Sequence, residues 1–279
     1  MSRALKGGLF QLALLLSLAV GFVTLGALLV DVFADGFGYF DGTLLTQPPS
    51  TDPALAGARP AILATLYIGA LLLLFVVPLG VGTAIYLEEY ADGTRWWNRL
   101  LELNIQNLAA VPSIVYGILG LAFLVRGLGL GRVLLAGALI LTLLVLPTVI
   151  IAAREAIRAV PDSIRQGGYA LGATQWQVVS RQVLPAAVPG IATGSILALS
   201  RAIGETAPLI MIGAVTYVAF DPTLLGAFTA LPIQIYSFLR LPADEFKLLA
   251  AASIIVLLGI LLTLNAFAIV LRNRYRKTW

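Results

Sequence analysis

Apolar residues run through this chain in long blocks separated by polar breaks. Six blocks approach or exceed the roughly 20 residues a helix needs to cross a bilayer. They are about Leu9–Val32, Ala61–Leu87, Leu103–Val125, Val133–Ala153, Val188–Val218 and Lys247–Leu271. In lipid the backbone must satisfy its own hydrogen bonds, so each block predicts a helix. No block alternates with period two, which argues against a barrel. The first block follows Arg3 and Lys6, as a secretory signal would. Its apolar core exceeds the 7–15 or so residues of a cleaved segment, and it reads as a retained anchor.

Two of the breaks are too long for simple turns. Residues 34–60 are rich in Gly, Pro and Asp and read as an outward loop with a short re-entrant or surface piece. Residues 154–187 read REAIRAVPDSIRQGGYALGATQWQVVSRQVLPAA. Pro161-Asp162-Ser163 supplies a break and an N-cap there. A short amphipathic helix is predicted around Ile164, Tyr169, Ala170 and Leu171, and Trp176, Val179 and Val183 continue at helical spacing. A loop with two such faces packs on its own bundle, on lipid or on another protein.

Composition turns the blocks into a class. Hydrophobic residues are 59% of the 279 and charged residues 11%, against roughly a quarter charged in soluble domains. Mean hydropathy is +0.96. Lipid must be the solvent of this all-α chain. With neither Cys nor His in the sequence, disulfides, thiolate or imidazole metal sites and Cys- or His-based catalysis are excluded. The net charge of +4 is mostly a bias in where Lys and Arg fall. With the N-terminus inside, one side holds Arg3, Lys6, Arg95, Arg99, Arg154, Arg158, Arg165, Arg181 and the basic tail RNRYRK. The other holds Arg59, Arg126, Arg132, Arg240 and Lys247. That excess predicts both termini in the cytoplasm. Anionic headgroups account for the tail without nucleic acid. Arg154, at the inner end of the fourth block, reads as a positive-inside anchor or as a group facing the exit of a path.

One turn breaks the pattern. SRAIGETAPL, residues 200–209, places Arg201 and Glu205 inside the fifth apolar block. At about 100° per residue, Gly190, Gly194, Ala198, Arg201 and Glu205 fall within about 40° of one direction. Small residues at four-residue spacing let another helix come close, so the charges should face protein or water. Each intramembrane charge costs on the order of 2.5–3.5 kcal/mol on insertion scales, and such charges usually mark a transport path. Gly204, Thr206 and Pro208 add local irregularity, which is tolerated where backbone lines a cavity. An arginine fork suits a passing oxyanion, with Glu205 holding it in place. The competing reading is an ion pair that only fixes helix register.

No Gly-rich phosphate loop ending in Lys-Ser or Lys-Thr occurs in the sequence. Energy must come from an ion gradient or a separate ATPase. A secondary transporter should show two related halves and further intramembrane carboxylates, and neither is found.

The segment GGYALGATQWQVVSRQVLPAAVPGI resembles the cytoplasmic coupling loop of ABC importer permeases, with its pattern E-A-A, three residues, Gly, nine residues, I-x-L-P. Gly172, Leu184 and Pro185 fall in register. Gln166-Gly167-Gly168 stands in place of E-A-A, and Gln182 in place of isoleucine. The two glycines should weaken the short helix by roughly 1 kcal/mol each. SRAIGETAPL and the late FDPTLLGAFTALPIQIYSF resemble A-type permease subunits of the phosphate-specific ABC importer family, from about residue 60 onward.

That resemblance implies a type I ABC importer permease fold of six transmembrane helices in the inner membrane. Residues 1–60 would form the first helix and outward loop, and 61–279 the permease core with a coupling loop at about 154–187. It implies import of inorganic phosphate by a non-enzymatic subunit, with ATP and Mg bound by partner subunits and no cofactor here. The implied partners are a C-type permease subunit, two copies of a cytoplasmic ATPase and an external phosphate-binding protein. It further implies a substrate path at Arg201, Glu205 and Thr206. ATPase coupling falls to Gly168, Ala170, Gly172, Ala173, Trp176, Leu184 and Pro185. Another oxyanion, such as sulfate or molybdate, is the nearest alternative passenger.

Overall fold

The computed structural model describes residues 3–275. Helices α1 (Arg3–Gly36), α2 (Gly42–Thr46), α3 (Arg59–Ile85), α4 (Trp96–Ala109), α5 (Ser113–Gly120) and α6 (Leu134–Arg158) occupy the first half. The second half holds α7 (Asp162–Ala170), α8 (Gln175–Val178), α9 (Leu184–Ile203), α10 (Ala207–Met211), α11 (Leu231–Leu239) and α12 (Asp244–Tyr275). Five helical segments are long and apolar enough to cross a membrane, and a bent pair makes up to six. No strand occurs among the described residues.

The helix α6 is the centre, packed by α3, α9, α4 and α5. Its buried residues run almost all round, from Leu134 through Ile140, Leu141, Val145 and Val149 to Ile157, as expected of a helix enclosed by others. Close approach is made by glycines on its neighbours. A Cβ on Gly80 of α3 would stand 2.7 Å from the Val149 side chain. One on Gly120 of α5 would collide with Ile140. Such small-residue contacts, rather than a hydrophobic effect, hold helices together in lipid.

Two of the six blocks depart from single straight spans. The block placed at 103–125 is α4 and α5, bent by 103°. Pro112 lies at the bend and precedes Ser113, where α5 begins. A proline disfavours helical geometry in the residue before it and donates no amide. The Tyr116 hydroxyl donates to the Leu108 carbonyl across the break at 2.8 Å. The block placed at 188–218 starts and ends earlier. Its helix runs without interruption from Gln175 to Ile203, so residues 175–187 belong to the span's helix and not to the loop. A π-helical turn at Val179–Val183 precedes Pro185 and accommodates its missing donor.

Residues 37–58 fold rather than wander. Asp41 caps α2 by accepting from the Leu44 amide at 2.9 Å, and Asp52 caps a turn by accepting from Ala54 at 3.0 Å. Leu44 is fully buried. By contrast α1 is exposed along nearly its whole length. It meets the bundle at its end, where Gly36 lies against the Ala251–Ala252 backbone. Arg276 and Lys277 of the basic tail lie outside the described residues.

Candidate functional site: a charged turn at mid-bundle and an ion cluster at its basic end

Helix α9 lies antiparallel on α6, set by two glycines. A Cβ on Gly190 would stand 2.7 Å from the Ala156 methyl, and one on Gly194 only 2.4 Å from that of Ala152. The predicted small-residue stripe therefore faces a helix of this same chain. Continued along both helices, that register brings Arg201 level with Val145, the middle of α6. The charged turn is thus deep in the apolar slab.

The turn itself ends a helix. Ile203 is the last residue of α9, Gly204 caps it, and the Glu205 amide donates to the Ala202 carbonyl at 3.1 Å. Thr206 then precedes α10, whose Pro208 backbone presses on Gly117 of α5 so closely that a Cβ there would stand 2.8 Å away. Arg201 Nε lies 3.8 Å from Glu205 Oε1, with side chains 69% and 21% exposed. At that distance charge attracts but no hydrogen bond forms. Ala198 is buried on the stripe, whereas Arg201 shares an exposed line with Leu197 and Gly204. The guanidinium leaves the small-residue face and presents its donors outward. The structure brings Arg201, Glu205 and Thr206 together at one turn.

A groove of about 620 Å³ between α3, α9 and α12 is lined by Leu66, Leu73, Ile191, Leu199 and Phe267 among others. Its lining holds no charged residue, and Arg201 is not part of it. Its polar lining is limited to Thr65, Ser195 and Ser200, so it offers an anion no positive charge.

The residues expected to form a coupling loop gather far from this turn. At about 1.5 Å per residue, Trp176 and Arg201 are on the order of 37 Å apart along their shared helix. Pro161 occupies the N-cap position of α7 without a side-chain bond, and Asp162 is its first residue, so the break is where expected but no polar side chain caps the helix. Asp162 instead accepts from Arg165 at 3.2 Å. Gly168 meets Val178, whose Cγ2 would stand 2.7 Å from an added Cβ. Here glycine lets α7 close on α8, which gives Gly168 a packing reason, whereas a Cβ on Gly167 would meet nothing within 4 Å. Ala170 ends α7 on the surface. Gly172 has φ +78° and closes the helix as a Schellman cap: its amide donates to Tyr169 and that of Ala173 to Gly168. Thr174 and Gln177 form a capping box at the start of α8. Ala173 and Leu184 pack against the buried Val178 and Val183, and Pro185 is exposed. Leu171 and Trp176 project from the loop, 90% and 60% exposed.

Beside the loop is a cluster that charge counting alone overlooks. Arg154 donates to Glu102 at 2.7 Å and to Glu88 at 3.3 Å. Arg158 donates twice to Glu88, at 2.9 and 3.0 Å. Arg165 donates twice to Glu89, at 2.8 and 3.1 Å. Hydrogen bonding to Glu89 raises the Arg165 pKa against the opposing effect of burial. Arg154 is therefore neither a bare anchor nor an open exit group, since three helices meet on it. The usable signal was the Arg154/Arg158 spacing of four, at the same depth as Glu88-Glu89. Also unremarked were Asn104 and Asn107, exposed amides on α4.

Residues 77–277 match the family described as the binding-protein-dependent transport system inner membrane component. The chain belongs to that family, as a multi-pass inner-membrane permease subunit of an ABC transporter. Among its relatives, the phosphate transport system permease protein PstA 1 of Mycobacterium tuberculosis (strain CDC 1551 / Oshkosh) is 35% identical over 216 residues. That alignment covers 77% of this chain and 70% of the relative. PstA of Mycobacterium leprae (strain TN) is 34% identical over 263 residues, 92% of this chain and 86% of its own. The fold is similar to a chain of a bacterial alginate ABC transporter solved with alginate pentasaccharide-bound periplasmic protein. There the TM-score is 0.69 at 19% identity, with 99% and 98% of the two chains covered. A type I ABC importer permease fold is the result.

Proposed function

We propose that this chain is the transmembrane permease subunit of an importer of inorganic phosphate, driven by ATP hydrolysis on separate cytoplasmic subunits. Its relatives named as phosphate permeases support the passenger. One observation carries the role of the site: Arg201, at mid-bundle depth, keeps an exposed guanidinium that Glu205 neutralises only at 3.8 Å. A bidentate pair would commit one edge of the guanidinium and neutralise its charge at close range. This one offers a fork to an oxyanion, while the nearby carboxylate keeps the anion from binding too tightly to leave. Thr206 belongs to the same turn.

In this reading the end bearing Arg95, Arg99, Arg154 and Arg158 is cytoplasmic, with both chain termini on that side. The 154–187 loop is where an ATPase docks, through exposed Leu171 and Trp176 and the turn shaped by Gly168, Ala170, Gly172 and Ala173. Leu184 and Pro185 join that turn to the span. Residues 1–60 form an anchoring helix and loop, and 61–279 the permease core. The partners are a C-type permease that covers the Arg201 face, two ATPase copies holding ATP and Mg, and an external phosphate-binding protein. This chain itself binds no cofactor and hydrolyses no nucleotide.

The test is uptake into proteoliposomes holding the complete transporter. Labelled phosphate should enter only with ATP inside and the binding protein outside, and excess sulfate or molybdate should not compete. ATP-driven sulfate or molybdate uptake in place of phosphate would transfer the role to the other oxyanion.

A further inference from the structure

Glu88 and Glu89 are neighbours on the π-helical turn Tyr86–Tyr90 that ends α3, and they point to different partners. Glu88 accepts from Arg154 and Arg158 of α6, and Arg154 reaches on to Glu102 of α4. Glu89 accepts from Arg165 of α7, while its backbone carbonyl accepts from the Gln175 side chain at the start of α8. Arg165 spends its remaining donors on the carbonyls of Val160 at 2.7 Å and Ile157 at 3.0 Å, at and just past the end of α6, and on Asp162 at 3.2 Å. One dipeptide thereby ties three spans to both short helices of the loop.

The helix α7 has little else to hold it. None of its residues is fully buried, and its apolar packing includes the half-buried Ile164 and the Gly168–Val178 approach. The Arg165–Glu89 pair is the reverse, with side chains only 15% and 6% exposed. A push on the exposed Leu171 side of the loop would reach α9 along the continuous Gln175–Ile203 helix, and would reach the end of α3 through this pair. A weakly packed element held by a buried, directional bond can carry force in two directions. A purely apolar contact would slide.

We propose that Glu89 is a positioning residue that transmits displacement of the 162–178 loop to the inner ends of α3, α6 and, through Glu88, α4. This rests on the reading that an ATPase docks on that loop. Glu89 touches neither cargo nor nucleotide; it sets how much of the ATPase movement arrives at the spans. Losing it should uncouple hydrolysis from transport rather than stop either partner from assembling.

The experiment uses the complete transporter in proteoliposomes and reads phosphate imported per ATP hydrolysed, for wild type, Glu89→Gln and Glu89→Asp. Coupling between sites typically changes an equilibrium by about 5–150-fold, so Glu89→Gln should lower the ratio by about tenfold. Co-purification of the ATPase should persist, and Glu89→Asp should keep most of the wild-type ratio. If Glu89→Gln fails to assemble, the ratio is read on the charge swap Glu89→Arg with Arg165→Glu, which must exceed that of Glu89→Arg alone. An unchanged ratio in assembled Glu89→Gln, or a swap no better than the single variant, overturns the proposal. Absence of ATP-driven phosphate uptake in the wild type would instead overturn the function on which it rests.

Discussion

At the basic end of this bundle Arg165 meets Glu89 at 2.8 Å and Arg154 meets Glu102 at 2.7 Å, and Glu88 and Glu89 each accept more than one arginine hydrogen bond. At mid-bundle Arg201 stands 3.8 Å from Glu205, 69% exposed and unbonded. The residue types are the same and the surroundings differ in sense. In the cluster, partial burial is offset by several hydrogen bonds from each arginine, and the charges hold helices together. In the turn, a charge sits at apolar depth with its donors free. Bonded pairs define structure, and unbonded ones at depth define a site for a charged visitor. Depth matters as much as pairing, since an intramembrane charge without a use is selected against by its insertion cost.

The sharpest break of the comparison is Arg154→Ala. It leaves Glu102 unpaired and Glu88 with Arg158 alone, in surroundings where a lost partner costs about 1–3 kcal/mol. Thermal unfolding in detergent should show a clear drop in Tm. A Tm equal to wild type would mean that the cluster is ornamental. Next comes Arg201→Lys, which keeps the charge and loses the fork. Phosphate uptake should fall by roughly tenfold, equivalent to about 1.4 kcal/mol, with Tm unchanged; full activity would show that charge alone suffices. The smallest effect belongs to Arg59→Ala. Its pair with Asp221 is short, at 2.7 Å, but both side chains are about half exposed. Exposed pairs are worth roughly 0–1 kcal/mol, so neither Tm nor uptake should move measurably. A large loss there would show that distance, not burial, governs these pairs.

Much of this was legible along the chain. Apolar block length gave five spans and the bent pair that makes up to six, and the break at Pro161 marked a segment that folds into two short helices. The bend at Pro112 was less visible, because hydropathy is blind to direction and α4–α5 averages as one apolar run. The fifth span was displaced because Trp176, Val179 and Val183 read as a loop helix, while lipid and loop share one continuous helix in the structure. Arg201 and Glu205 stood out as charges in an apolar block. Their exposure did not, since the helical wheel put them on the same stripe as Gly190 and Gly194. A side chain as long as arginine need not follow the direction of its Cβ, and this one departs from the stripe. The Glu88–Glu89 cluster was hidden for another reason: its members come from four separate stretches, and only the fold brings them to one depth.

The central claim is that Arg201 serves the cargo and not the fold. It is tested most directly by ATP-driven phosphate uptake of Arg201→Ala, in the complete transporter at wild-type membrane abundance. Loss of a charge-assisted bond to the anion, about 1.5–3 kcal/mol, predicts a fall of at least tenfold. Uptake at the wild-type rate would contradict the account and leave the Arg201–Glu205 pair as a helix-register device.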